Sequence, residues 1–279
     1  MNTLNKVLIV WGSGMVGNYI DFGIQPTSTE MNITDISSIN KYISLHPDIS
    51  CIINLVALNL RDCEKDILKA MKVNIEGNIN MLNIAKDRNI PFIYLSTGAV
   101  FSSNNNNIIF NEKDKTNPNS IYGITKDLAE KISLLYDKTI IIRTGWLFGG
   151  HQKTHFKFIE NVINSLSTNT IIYASNDFNG SPTYVKDLVE KMKVIILKLE
   201  YGIHHVVNDG IANGFILANE VSKIINKDKL LIKSVTSTEI PNSGPERSKS
   251  EILNSKNKLR SWKISLKEYI LEYIKEHNL

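Results

Sequence analysis

Residues 119–127, NSIYGITKD, place Tyr122 four positions ahead of Lys126. Side chains four apart share one face of a helix, so a phenol and an ammonium would enter the same cleft. At ~4 Å and an effective dielectric near ~20, their attraction is about 4 kcal/mol, or roughly 3 pK units, enough to draw a phenol from ~10 toward neutrality. A phenol tuned in this way exchanges a proton with a substrate oxygen. The pair alone is weak evidence, because a lysine-rich chain of 279 residues with 10 tyrosines supplies one by chance. Such a pair needs a further hydrogen-bond donor to hold a carbonyl, and the run FIYLST (92–97) ends in two hydroxyls, Ser96 and Thr97.

A second constellation stands near the start. Gly12, Gly14 and Gly17 have G-x-G-x-x-G spacing directly after the apolar run KVLIVW (6–11). After a strand and opening a helix, such glycines allow a tight turn, close approach of backbone to a pyrophosphate and close helix packing, with the helix N-terminus facing the phosphates. A plain tight turn is the competing reading. The acidic residue that usually ends the second strand is hard to place, and Pro26 weakens a strand there. Glu30 would hold a ribose hydroxyl and favour NAD(H), whereas Thr27, Ser28 and Thr29 would tolerate a 2′-phosphate. The balance falls to NADP(H).

The elements that must position these groups alternate along the chain. Apolar runs at 6–11, 50–57, 91–97, 139–145 and 169–175 predict strands buried on both faces, and amphipathic stretches at 66–88 and 122–136 predict helices between them. Together they predict an α/β fold, a Rossmann-like doubly wound parallel sheet with a smaller C-terminal substrate-binding lobe. The expected division is a cofactor-binding domain over 1–147 with a return segment around 178–202, and a substrate lobe over most of 148–279. The polar stretch 102–120 falls where such folds carry active-site loops. A net charge of +4 without a basic block gives no support to nucleic-acid binding. Two cysteines, Cys51 and Cys63, make no disulfide framework, and no apolar stretch reaches membrane-spanning length. The expectation is a soluble cytoplasmic protein.

With the glycine loop, the strand-end hydroxyls and Tyr-x-x-x-Lys in this order, the chain resembles the extended short-chain dehydrogenase/reductases, and most closely the dTDP-4-dehydrorhamnose reductase family. The blocks that carry the likeness run nearly end to end: PDISCIINLVALNLRDCE, VNIEGNINMLNIA, FIYLSTGAVF, NPNSIYGITKDLAEK, IIRTGWLFGG, NDFNGSPTYVKDL and RSKSEILNSKNKL. The resemblance implies that Thr97, Tyr122 and Lys126 are the catalytic hydroxyl, acid and assisting cation, with Lys126 also on the nicotinamide ribose. It implies Gly12, Gly14, Met15, Val16 and Gly17 at the pyrophosphate, Asn32 and Ile33 at the adenine, and Asn54, Ala57 and Asn74 in segments flanking the cofactor. Trp146 would lie near the sugar, and Arg247 near the substrate phosphates.

The likeness breaks at Gly98 and Ala99, where the family has Asp-Tyr, and at Ser248, where it has proline. The 4,6-dehydratases of the superfamily are expected to carry Asp-Glu after this threonine, because eliminating water needs an extra acid and base. Gly98 and Ala99 offer neither, so ketone reduction, which needs one hydride and one proton, is the expected reaction. The implied function is reduction of the 4-keto group of a nucleotide-linked deoxysugar. An epimerase with tightly bound NAD and a non-catalytic NAD(P)-binding regulatory subunit, similar to that of methionine adenosyltransferase, are the alternatives. The family makes a homodimer plausible. His151 with His155, which also stands near a usual asparagine, lacks a third ligand at suitable spacing, and His204 and His205, adjacent in a strand-like run, face opposite ways, so no metal is expected.

Overall fold

The computed structural model describes residues 3–150, 158–240, 247–257 and 259–277. Five parallel strands form the central sheet in the order Val7–Val10, Cys51–Asn54, Phe92–Thr97, Thr139–Thr144 and Gly202–His205. Their alternating side chains feed two cores. Val7, Ile9, Ile53, Ile93, Ile140 and Ile142 pack against the helix Val185–Lys198 on one face. Leu8, Val10, Ile52, Phe92, Tyr94 and Ile141 pack on the other, with the helices Ile36–Leu45, Gly77–Asp87 and Ile121–Ser133. A strand buried on both faces needs apolar residues at every position, which is why these segments read as unbroken β-branched runs.

Two expectations change. The run 169–175 does not join the central sheet: Ile172–Ser175 pairs with Ile232–Val235 in a separate two-stranded ribbon of the lobe, and Tyr173 stands exposed. Its apolar residues face a third core formed with Phe158–Ser167, Gly214–Ile224 and Trp262–His277. The place in the sheet goes instead to Gly202–His205, which pairs with Thr139–Thr144. The glycine loop opens no α-helix, because only a 3₁₀ turn, Gly17–Tyr19, follows it and Gly23 at φ 77° already ends the crossover. The second strand is reduced to one parallel bridge, Ile24 to Leu8, in front of Pro26.

The polar stretch 102–120 is pinned across the cleft to residues 248–254. Ile109–Phe110 pairs with Ser250–Leu253, Lys249 N donates to Ser103 O at 2.9 Å, and Ser103 N donates to Ser248 Oγ at 2.9 Å. Ser248, in place of proline, thus ties loop to lobe. His151 and His155 lie outside the described residues. His204 and His205 point apart, their rings bonding the carbonyls of Glu200 and Asn254.

Candidate active site

The helix Ile121–Ser133 starts because Ser120 caps it, its Oγ accepting from Gly123 N at 3.1 Å, while Ile121 N donates to Glu64 Oε1 at 2.7 Å. Its buried residues include Thr125, Lys126, Asp127, Ala129, Glu130 and Ser133, a largely polar face at helical spacing. Burial of that face is made possible by pairing of most of its polar groups, although Asp127 Oδ1 has no hydrogen-bond partner among the described residues. Glu130 receives Arg143 through both oxygens, at 2.7 Å from NH2 and 3.0 Å from Nε. Thr125 and Ser133 accept from Asn74 and Asn78, each at 2.9 Å. At Gly123 a Cβ would stand 2.3 Å from Ala99 O, so only glycine lets the helix sit against the 98–99 turn.

That seat brings Tyr122 and Thr97 into one cleft, where the Thr97 hydroxyl acts on the phenol to lower its pKa. The phenol lines the cleft and keeps part of its surface open, yet protein surrounds it closely. Desolvation raises its pKa to about 12, against the lowering by Thr97, with Cys63 and Glu251 raising it further. The expectation of a phenol drawn toward neutrality is therefore corrected: burial outweighs any attraction from the lysine. Lys126 donates to Leu95 O at 2.6 Å and lies 4.0 Å from the centre of the Tyr94 ring. Desolvation lowers its pKa to about 7, with Glu130 opposing. Thr97, Tyr122 and Lys126 thus meet in one cleft of about 400 Å³, joined by Ala57, Thr144, Trp146, Arg247 and Glu251.

On the glycine side the predicted residues separate. A Cβ on Gly17 would fall 2.3 Å from Gly12 O, so this glycine is required for the turn to close. Val16 is buried in the core, with Met15 packed against it. Asn32 and Ile33 line a second cavity of about 200 Å³ with Trp11, Ser13, Pro26, Ser28 and Thr34. Trp11, held at φ 69°, was not singled out from sequence, and an unusual backbone angle for a bulky residue beside a glycine loop was not readable there. Glu30 is not in that lining, since its carboxylate accepts from Thr27 N and Oγ1, each at 2.8 Å, and closes a local turn. Asn54 and Asn74 stand behind the cleft: Asn54 donates to Asn78 at 2.9 Å and accepts from Val56 N, and Asn74 accepts from Leu58 N at 2.8 Å. They fix the 55–58 loop that carries Ala57. Asn74 itself sits in a π-helical turn, Lys72–Glu76.

On the lobe side, Trp146 and Arg247 do come together, but around a residue the sequence did not flag. Glu251, 5% exposed, accepts from Trp146 Nε1 at 3.0 Å and from Arg247 NH2 at 2.7 Å, both through Oε2. The Arg247 guanidinium also lies 5.3 Å from the Trp146 ring and 5.1 Å from that of Phe178. One edge of its fork is therefore spent on Glu251 rather than open to phosphate, as the sequence reading had it. A largely apolar cavity of about 210 Å³ continues past Arg247 between Phe158, Phe178 and Leu217.

The residues present fit a dinucleotide. Two cavities flank the strand ends on either side of the glycine turn, and two buried hydroxyls in the cleft lining, Ser96 Oγ and Thr144 Oγ1, have no hydrogen-bond partner among the described residues. Comparison with known proteins agrees. The chain is 28% identical over 285 residues to the spore coat polysaccharide biosynthesis protein SpsK of Bacillus subtilis, covering 96% of this chain and 98% of that one. It is 25% identical over 283 residues to a dTDP-4-dehydrorhamnose reductase of Mycolicibacterium smegmatis, covering 95% and 85%. A crystal structure of a dTDP-4-dehydrorhamnose reductase from Clostridium acetobutylicum is similar at a TM-score of 0.86 and 27% identity, covering 96% of this chain and 99% of that one. The model of the RmlD substrate binding domain matches residues 6–275, and the chain belongs to that family.

Proposed function

We propose that this protein is an NAD(P)H-dependent reductase of the 4-keto group of a nucleotide-linked deoxysugar, of the dTDP-4-dehydrorhamnose reductase kind. The observation that carries the reading is the meeting of Thr97, Tyr122 and Lys126 in one cleft, where burial raises the phenol's pKa to about 12. A neutral phenol is the form that donates. A bound reduced nicotinamide supplies hydride to the carbonyl carbon. Tyr122 passes its proton to the developing alkoxide, and Thr97 donates to the same oxygen. Lys126 orients the nicotinamide ribose from its seat on Leu95 O. An epimerase needs the phenolate for its first step, a form that burial of the phenol disfavours. Gly98 and Ala99 bring no carboxyl for elimination of water.

Gly12, Gly14, Met15 and Gly17 take the pyrophosphate, Asn32 and Ile33 the adenosine, with Val16, Asn54, Ala57 and Asn74 shaping those walls. NADP(H) is favoured, because the adenosine-side cavity offers Ser13, Ser28 and Thr34 hydroxyls and no carboxylate to repel a 2′-phosphate. The 1–147 region with its return segment 178–202 carries the cofactor, and the 148–279 lobe carries the sugar nucleotide. Trp146, at the end of the first region, covers the sugar, while in the lobe Arg247 reaches a phosphate through NH1 and the base enters the apolar cavity beside Phe178. Two copies pair through exposed Ile67, Leu68, Met71, Ile124 and Leu128. Free, buried Cys51 and Cys63 suit the reducing cytoplasm.

The test is loss of absorbance at 340 nm when the protein is mixed with NADPH and 4-keto-6-deoxy sugars linked to dTDP, GDP, CDP or UDP. At least one should be reduced, and Tyr122→Phe should lower kcat by about 10³-fold or more. Equal turnover by that variant would refute the assignment.

A further inference from the structure

We infer that Glu251 determines specificity, its carboxylate selecting 4-keto sugars that carry a hydrogen-bond donor on the ring carbon next to the ketone. The inference rests on the reductase reading and deepens it. Glu251 sits on the strand Ser250–Leu253, held between Ile109–Phe110 and Asn179–Gly180, so its mount is rigid. Trp146 lies against Gly180, where a Cβ would come 2.3 Å from the indole, and fixes the carboxylate from one side while Arg247 fixes it from the other.

The two oxygens differ. Oε2 accepts both short bonds, at 3.0 Å from Trp146 and 2.7 Å from Arg247, whereas Oε1 has a 3.4 Å contact from Arg247 Nε, beyond the usual range of such bonds. A buried carboxylate oxygen with unspent acceptor capacity, in the lining of the cleft, selects for a donor and rejects a ligand that leaves it unpaired.

The location of that donor follows from Tyr122. Glu251 acts on the phenol electrostatically, and its Cβ would be 3.6 Å from a Cβ added at Gly98, the residue after Thr97. The phenol marks the ketone oxygen, so the group facing Glu251 is on a neighbouring carbon. In a 6-deoxy sugar C5 carries the methyl carbon, which leaves the hydroxyl or amino group of C3. Gly98 and Glu251 also fit each other: a Cβ at 98 would press to 3.2 Å on Glu251 O, so the small residue at 98 leaves this strand its place.

The experiment compares dTDP-4-keto-6-deoxy-D-glucose with its 3-deoxy analogue, using NADPH and the intact chain. Wild-type kcat/KM should favour the 3-hydroxy sugar by at least about 10-fold. Glu251→Gln should cut that preference to about 2-fold, mainly through the KM of the 3-hydroxy sugar. Glu251→Asp should restore part of the preference. Equal losses on both sugars would make Glu251 a structural partner of Arg247, and a wild type without preference would equally overturn the inference. Binding of the two 4-hydroxy products, read by tryptophan fluorescence, gives the same ratio without turnover. A wild type inactive on all four nucleotide-linked sugars would therefore sink the reductase reading and still leave that ratio to decide on Glu251.

Discussion

Two helices cover opposite faces of one sheet and are built on opposite rules. Val185–Lys198 buries Val185, Leu188, Val189, Met192, Ile195 and Ile196, an apolar stripe at helical spacing. Ile121–Ser133 buries Thr125, Lys126, Asp127, Glu130 and Ser133 and turns Ile124 and Leu128 outward. The first helix contributes stability directly, by removing apolar surface from water. The second is held by hydrogen bonds and the buried Arg143–Glu130 pair, which contribute less net stability than apolar packing of the same volume but leave few alternative seats for Tyr122. A site that must fix a phenol beside Thr97 is thus assembled at the expense of the helix that carries it.

The largest effect that this contrast predicts comes from Lys126→Met. Activity should fall by about 10²- to 10⁴-fold, because the nicotinamide ribose loses the group that orients it. Stability should move the other way. The folded lysine titrates near 7 while the unfolded one keeps its ordinary value of 10.5, so folding expels a proton between those values. The penalty is full below pH 7 and fades as pH rises toward 10.5, which is the sign for a depressed lysine. Melting of the cofactor-free variant should therefore exceed wild type by on the order of 5 °C at pH 6, a gain that shrinks on the alkaline side as only the orphaned Leu95 carbonyl remains. A variant that melts lower than wild type at pH 6 would mean that Lys126 supports the fold.

Leu188→Ala is the matched break on the other helix. Leu188 is fully buried in the apolar core, and its truncation leaves a cavity worth about 2–5 kcal/mol. Urea titration should show that loss, while kcat at 25 °C stays within about 2-fold for the fraction that remains folded. A drop in kcat comparable to that of Lys126→Met would show that the sheet transmits packing changes to the cleft, and the division between the two helices would fail.

The same contrast explains what could be read from sequence. Four strands of the sheet announce themselves by hydrophobic pattern, as does the α/β order, whereas the apolar helix is anticipated only as part of a return segment around 178–202. Tyr122 and Lys126 were legible only as chemistry at helical spacing. Their helix has its apolar residues outside, so periodicity alone identifies a helix there but gives no hint of which face is buried. Ile172–Ser175 was misplaced because a short β-branched run looks the same in a central strand as in a ribbon of the lobe. The missing helix after Gly17 follows from the brevity of residues 17–23 before Gly23, which the glycine spacing overshadowed. Glu251 gave no local signal at all: its meaning arises from Trp146, Arg247 and Gly98, which approach it only through the lobe.

The smallest effect on the fold is expected at Ile124→Glu, on the outer face of the polar helix. Ile124 is 46% exposed, and Leu128 next to it on the same face is 40% exposed. Because that face contributes nothing to the packing against the sheet, a charge there should leave the melting temperature of the monomer within about 2 °C and kcat within about 2-fold. What should change is association. Together with Ile67, Leu68 and Met71, Ile124 forms an apolar surface between two adjoining helices, and a carboxylate in its middle would be desolvated by a second copy. Sedimentation at micromolar concentration should then show wild-type dimer and variant monomer. If Ile124→Glu instead unfolds the chain or removes activity, the outward side of this helix is part of its structural support, and the distinction between a helix built for packing and a helix built for chemistry has been drawn too sharply.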